Sequence, residues 1–106
     1  MEKSKNSIED LQIMEQASQN LTLQKQLFQI ELSETISALE SLKDAKGDVF
    51  KIVGNLMFKS DKSTLQKDLE RKKQLLELRI KSIEKQEDEM NKKFSRVREE
   101  VLKDVK

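Results

Sequence analysis

The 106-residue sequence contains no cysteine, histidine, proline, tryptophan or tyrosine, has only two glycines, and carries 4% aromatic residues. Each absence excludes something. Without cysteine there is neither a disulfide framework nor a thiol nucleophile. Without histidine the commonest general base is missing, and a zinc ion would have carboxylates alone as side-chain ligands. No catalytic residue, metal site or cofactor is therefore expected, and the chain does not read as an enzyme. Neither Gly47 nor Gly54 begins a GK[ST] signature, so no P-loop is present, and energy-dependent work would fall to a partner. No apolar run approaches the roughly 20 residues of a membrane span. Met1-Glu2-Lys3-Ser4-Lys5 leads into no signal-peptide apolar region. The net charge of +1 points to neither nucleic acid nor membrane. A soluble, cytoplasmic protein is the expectation.

What is present is charge and period. Charged residues reach 39% and apolar residues 35%, too few for a broad core but enough for a seam using two positions in seven. From Leu11 a 3-4 spacing runs through Met14, Ser18, Leu21, Lys25, Phe28, Leu32, Thr35, Leu39 and Leu42. Sustained over several heptads, this is a coiled-coil seam. Ile8, Ile13, Leu23, Leu27, Ile30 and Ile36 are expected to widen it toward further neighbours. The helix, about 7–46, should stop near Ala45-Lys46-Gly47, with Gly47 in the left-handed C′ position and Lys43 and Lys46 on the dipole.

A second helix, about 62–105, repeats the period at Leu69, Lys73, Leu76, Ile80, Ile83, Glu87, Met90, Phe94, Val97 and Val101. Ser63 and Gln66 resemble a capping box, and Asp61 and Asp68 lie near the helix start. Asp68/Lys72, Glu77/Lys81, Glu89/Lys93 and Glu99/Lys103 are candidate i,i+4 ion pairs.

Between the helices the period falls to 2. Val49-Phe50-Lys51-Ile52-Val53 and Leu56-Met57-Phe58-Lys59 flank Gly54-Asn55, a two-residue turn signal, and give a hairpin over about 48–60. Val53 should pair with Leu56 and Ile52 with Met57. Val49, Lys51, Val53, Leu56 and Phe58 then share one face, and Phe50, Ile52, Met57 and Lys59 the other. Both faces are largely apolar. An isolated two-stranded hairpin is marginal in water, and its unpaired edges invite aggregation. It reads as an oligomerisation element formed by Val49, Phe50, Ile52, Val53, Gly54, Leu56, Met57 and Phe58.

The short link implies antiparallel helices. Residues 1–46 hold five lysines against eight acids, a net of −3; residues 62–106 hold fourteen basic residues against ten acids, a net of +4. Opposite signs favour pairing within the chain. The fold class is therefore mainly α: a long antiparallel two-helix coiled coil with one β-hairpin between the helices. At 1.5 Å per residue each helix would run roughly 50–65 Å, a tentacle with the hairpin at one end and both termini at the other.

The segment Val49-Phe50-Lys51-Ile52-Val53-Gly54-Asn55-Leu56-Met57-Phe58-Lys59 resembles the hairpin of β-type subunits of the prefoldin (GimC) family. Leu75-Leu76-Glu77-Leu78-Arg79-Ile80 and Ile83-Glu84-Lys85-Gln86-Glu87 are similar to that family's second helix, and Leu23-Gln24-Lys25-Gln26-Leu27 is a weaker match in the first. The resemblance spans nearly the whole chain, residues 1–106, as one prefoldin-like domain. One hairpin rather than two implies the β type. By resemblance, two α-type and four β-type subunits form a hetero-hexamer whose hairpins assemble into β-barrels. It captures unfolded client proteins at its coiled-coil tips without ATP and transfers them to a group II chaperonin.

Ile8, Leu11, Ile13, Met14, Val97, Val101, Leu102 and Val105 crowd the free helix ends. They read either as seam and fraying termini or as a client-binding tip, where extra apolar surface and adaptable methionine would suit unfolded chains. The resemblance favours the tip. Lys25 and Glu87, polar at seam positions, read as a register lock or as snorkelling side chains at a thin seam. Whether they meet depends on a register the sequence leaves open. Arg71-Lys72-Lys73 and Lys92-Lys93 are interleaved with acids and lack stacking aromatics, so they read as solvated helix faces. The rival to a chaperone subunit is a structural coiled-coil adaptor or tether binding one specific partner. The hairpin's two apolar faces favour the chaperone, because a tether needs no such platform.

Overall fold

The computed structural model describes residues 2–105, and side chains from Ile8 to Lys103. The element order is α1 (Glu2–Asp44), β1 (Val49–Val53), β2 (Leu56–Ser60) and α2 (Lys62–Val105). Helix α1 thus begins before the expected residue 7 and stops at Asp44. The contacts divide the chain into two parts: residues 28–79, and α1 up to Leu27 with α2 from Ile80.

In the part formed by residues 28–79, two helical segments flank the hairpin. Leu39, Leu42, Leu76 and Thr35 are buried there, at 6%, 6%, 2% and 3% exposure. Burying a threonine hydroxyl is unfavourable without a partner. Thr35 Oγ1 donates to the Glu31 carbonyl at 2.8 Å, so the seam keeps a polar atom without leaving it unsatisfied. The segments run antiparallel, as the Glu31–Lys72 ion pair at 3.2 Å and Arg79 over the Phe28 ring at 5.6 Å require. Lys72 therefore meets Glu31 across the seam and not its expected partner Asp68. Exposed pairs differ little in free energy, so tertiary proximity decides between them.

The helix ends nearest the hairpin are closed by side chains the sequence points to only in part. Asp61, directly before α2, is the N-cap: its Oδ2 accepts from the Thr64 backbone N–H at 3.2 Å and from the Thr64 hydroxyl at 3.1 Å. The expected Ser63 capping box is corrected, because Ser63 already lies inside the helix. At the end of α1, Lys62 Nζ donates to the carbonyls of Lys43 and Ala45 at 3.3 and 3.2 Å. Lys43 lies in the last turn of α1, as expected for the negative end of its dipole, and Lys62 of α2 adds a second cation there, while Lys46 falls beyond the helix. Gly47 takes a φ of 93° three residues past Asp44, so it turns the chain out of the helix after the cap.

In the other part, α1 up to Leu27 lies antiparallel to α2 from Ile80. Lys25 Nζ donates to Glu87 Oε1 at 3.2 Å and lies 3.9 Å from Glu84 Oε2. Lys25 and Glu87 do meet. Their side chains are only 26% and 23% exposed, so the pair is partly shielded from solvent. Ile80 and Ile83 are the buried apolar residues among the described residues of this part.

All ten seam positions on each helix are buried or half-buried. By contrast Ile8, Ile13, Leu23, Leu27, Ile30 and Ile36 are 37–67% exposed. They do not widen the seam, because two helices bury only the facing stripe of each other.

Leu76→Ala removes the most buried side chain and should cost about 2–5 kcal/mol; urea unfolding followed by circular dichroism reads the loss. Lys25→Glu faces Glu84 and Glu87 with a third acid and should lower Tm. The double variant Lys25→Glu/Glu87→Lys should recover most of the loss, while equal Tm values for the single and double variants would show that the pair does not act on register or stability.

Candidate functional site

Strands β1 and β2 pair antiparallel with Val53 opposite Leu56, Ile52 opposite Met57, Lys51 opposite Phe58, Phe50 opposite Lys59 and Val49 opposite Ser60. This is the expected register. Gly54 supplies the positive φ of 59° that a tight two-residue turn needs. Because side chains alternate across a strand, Val49, Lys51, Val53, Leu56 and Phe58 fall on one face and Phe50, Ile52, Met57 and Lys59 on the other.

Neither face is covered. Phe50, Ile52, Val53, Leu56, Met57 and Phe58 are 50–67% exposed, and Val49 is half-buried. The polar residues do little to offset this. Lys59 of β2 and Asp48, just before β1, form an ion pair at 3.5 Å, but with side chains 70% and 64% exposed it contributes little. Three large apolar side chains stand exposed on each face, surface of the kind that marks an interaction site.

The candidate tip residues lie in the part containing Ile80 onward, and the structure separates them into three kinds. Ile13, Met14 and Val97 come together along a groove of about 410 Å³ bordered by Lys93 and Arg96. An adjoining groove of about 380 Å³ shares Ile13 and Met14 and adds Ala17, Leu21 and Met90. Leu11 and Val101 are half-buried seam positions, whereas Ile8 and Leu102 stand 45% and 56% exposed. The Val105 side chain falls outside the described residues.

Sequence reading did not find the second groove. Its signal was present in Ala17, a small residue beside the seam, which leaves room next to the flexible Met14 and Met90. The basic residues Lys93 and Arg96 are interspersed with Asp10, Glu89 and Glu100, so the grooves are apolar in floor and mixed in rim charge. No cluster of potential metal ligands occurs among the described residues. No described helix is long and apolar enough to cross a membrane.

Known proteins share this arrangement. A family model described as "Prefoldin subunit" matches residues 5–106. The prefoldin subunit beta of Methanothrix thermoacetophila is 34% identical over 98 residues, covering 91% of this chain and 82% of the relative. That of Saccharolobus islandicus is 42% identical over 76 residues, covering 70% of this chain and 60% of the relative. The crystal structure of the prefoldin beta subunit from Thermococcus strain KS-1 superposes with a TM-score of 0.87 at 28% identity, over 97% of this chain and 92% of that one. With one hairpin between two long helices, the chain belongs to the prefoldin subunit family and is of the β type.

Proposed function

We propose that the chain is the β-type subunit of a cytoplasmic hetero-hexameric chaperone, assembled from two α-type and four β-type subunits through their hairpins. The exposed two-faced apolar hairpin carries this reading. A chain with so little apolar material cannot cover those side chains itself, and hairpins of other subunits adding strands at the open edges would close them into a β-barrel. The hexamer holds unfolded client proteins on the apolar residues of its helix ends and passes them to a group II chaperonin. Holding needs no nucleotide, metal or cofactor: it rests on apolar burial, weak at each contact and strengthened because several linked subunits engage one client.

The grooves around Met14 and Met90 support the client reading. Methionine adapts to irregular partners, and a groove with mixed rim charge selects no single sequence. Ile8, Leu102 and Ile13 add apolar surface that the seam does not use.

Two experiments test the two halves of the proposal. Ile52→Asp with Val53→Asp places charge where subunits would bury it. Sedimentation of this variant with its α-type partner should give helical monomers, and an unchanged hexamer mass would refute hairpin-mediated assembly. Ile8→Ser with Leu102→Ser should leave the hexamer mass unaltered and weaken suppression of aggregation of a chemically denatured client. Protection equal to that of the unaltered hexamer would place capture elsewhere than these residues.

A further inference from the structure

The chain has no cysteine, so methionine is its only sulfur-bearing residue. Of the four methionines, Met1 lies outside the described residues and Met57 stands exposed on the hairpin. The other two occupy seam positions, Met14 on α1 and Met90 on α2, where every remaining apolar seam position is leucine, isoleucine, valine or phenylalanine. Although far apart in sequence, the two seam methionines line the same groove of about 380 Å³, together with Ala17 and Leu21.

The seam protects them poorly. Among the described residues, none of α1 before Thr35 and none of α2 after Ile83 is buried, and Met14 and Met90 are themselves half-buried. A groove of about 380 Å³ is wide against the roughly 30 Å³ that a water occupies in the liquid. A small oxidant such as hydrogen peroxide therefore reaches both thioethers without unfolding the helices.

We propose that Met14 and Met90 form a paired, reversible oxidation site, and that a peroxide converting them to sulfoxides loosens α1 from α2 over residues 8–27 and 84–103. The proposal concerns helix pairing and does not depend on the client-holding reading. In each event a lone pair of the methionine sulfur attacks one peroxide oxygen and the O–O bond breaks. That oxygen stays on sulfur as the sulfoxide, and its proton passes to the other oxygen, which leaves as water. The sulfur is oxidised by two electrons and the peroxide is reduced by two. A flexible apolar side chain thereby becomes a polar, chiral one at a seam position. Ala17 and Leu21 offer its oxygen no side-chain hydrogen bond, so leaving it in the seam is unfavourable. Gln86 and Lys93 carry donors at the groove's rim, but both are exposed, so an oxygen bonded to either draws its side chain off the seam. In both cases the packing around the two methionines is lost.

The test exposes the full chain in its native oligomer to dilute hydrogen peroxide. Peptide mass mapping should place one added oxygen, about 16 Da, on each of Met14 and Met90. Amide hydrogen exchange should then quicken by about tenfold or more over residues 8–27 and 84–103 and stay unchanged over residues 35–42. The two methionine sulfoxide reductases, one for each sulfoxide epimer, should restore the original rates. Met14→Leu/Met90→Leu conserves side-chain volume and should keep its exchange rates under peroxide. Met57→Leu is the control, and its helix ends should loosen as those of the unaltered chain do. Met14 and Met90 left unoxidised by a dose that oxidises a free methionine peptide would overturn the site. So would oxidation of both with exchange unchanged or slowed. Equal loosening in Met14→Leu/Met90→Leu, or none in Met57→Leu, would trace the effect to another residue and also overturn the proposal.

Discussion

A two-stranded helical seam shields only the stripe that each helix presents to the other, about two positions in seven, and the rest of this molecule depends on that limit. The twenty seam positions take up much of the chain's apolar material, and even they are mostly half-buried. Only a few are buried, including Leu39, Leu42, Leu76 and Ile83. Polar seam residues are tolerated where each finds a partner, as Thr35 does on the Glu31 carbonyl and Lys25 on Glu87. Apolar residues off the stripe stay exposed, because the chain offers no second layer to cover them.

That limit gives the hairpin its meaning. Its pairing satisfies the backbone between β1 and β2, while both faces keep large apolar side chains in solvent. In a chain with a broad core one face would be covered from within. Cover from other subunits is the proposal made above, and it agrees with membership of a family of prefoldin subunits. The same limit leaves Ile8, Ile13 and Leu102 open at the helix ends and Leu23 and Leu27 open on the back of α1. Stability and interaction thus draw on different residues. The seam can be conservative in its packing while the exposed apolar residues remain free to vary with what they meet.

Some local devices were out of reach of sequence reading. The seam positions were legible because the 3-4 period is a property of one helix and demands one buried stripe. The hairpin register was legible because Gly54-Asn55 permits a tight two-residue turn that pins Val53 to Leu56. Asp61 was noted near the start of α2, but its role as the cap was hidden by Ser63-Gln66, an equally plausible pattern two residues later. Lys62 was not singled out at all, since what it caps belongs to the other helix.

The sequence by itself determined the element types, the seam stripe of each helix, the hairpin pairing and the absence of thiol, imidazole or P-loop chemistry. All of these follow from local spacing and from which side chains exist. Only the tertiary structure decided which residues meet across the seam: Lys25 with Glu87, Glu31 with Lys72, Arg79 with Phe28, and Met14 beside Val97. It also decided that Leu23 and Leu27 face away from the partner helix. The heptad repeat is the physical reason. Each helix would satisfy its own pattern in several registers a heptad apart, and packing of the facing residues selects one of them.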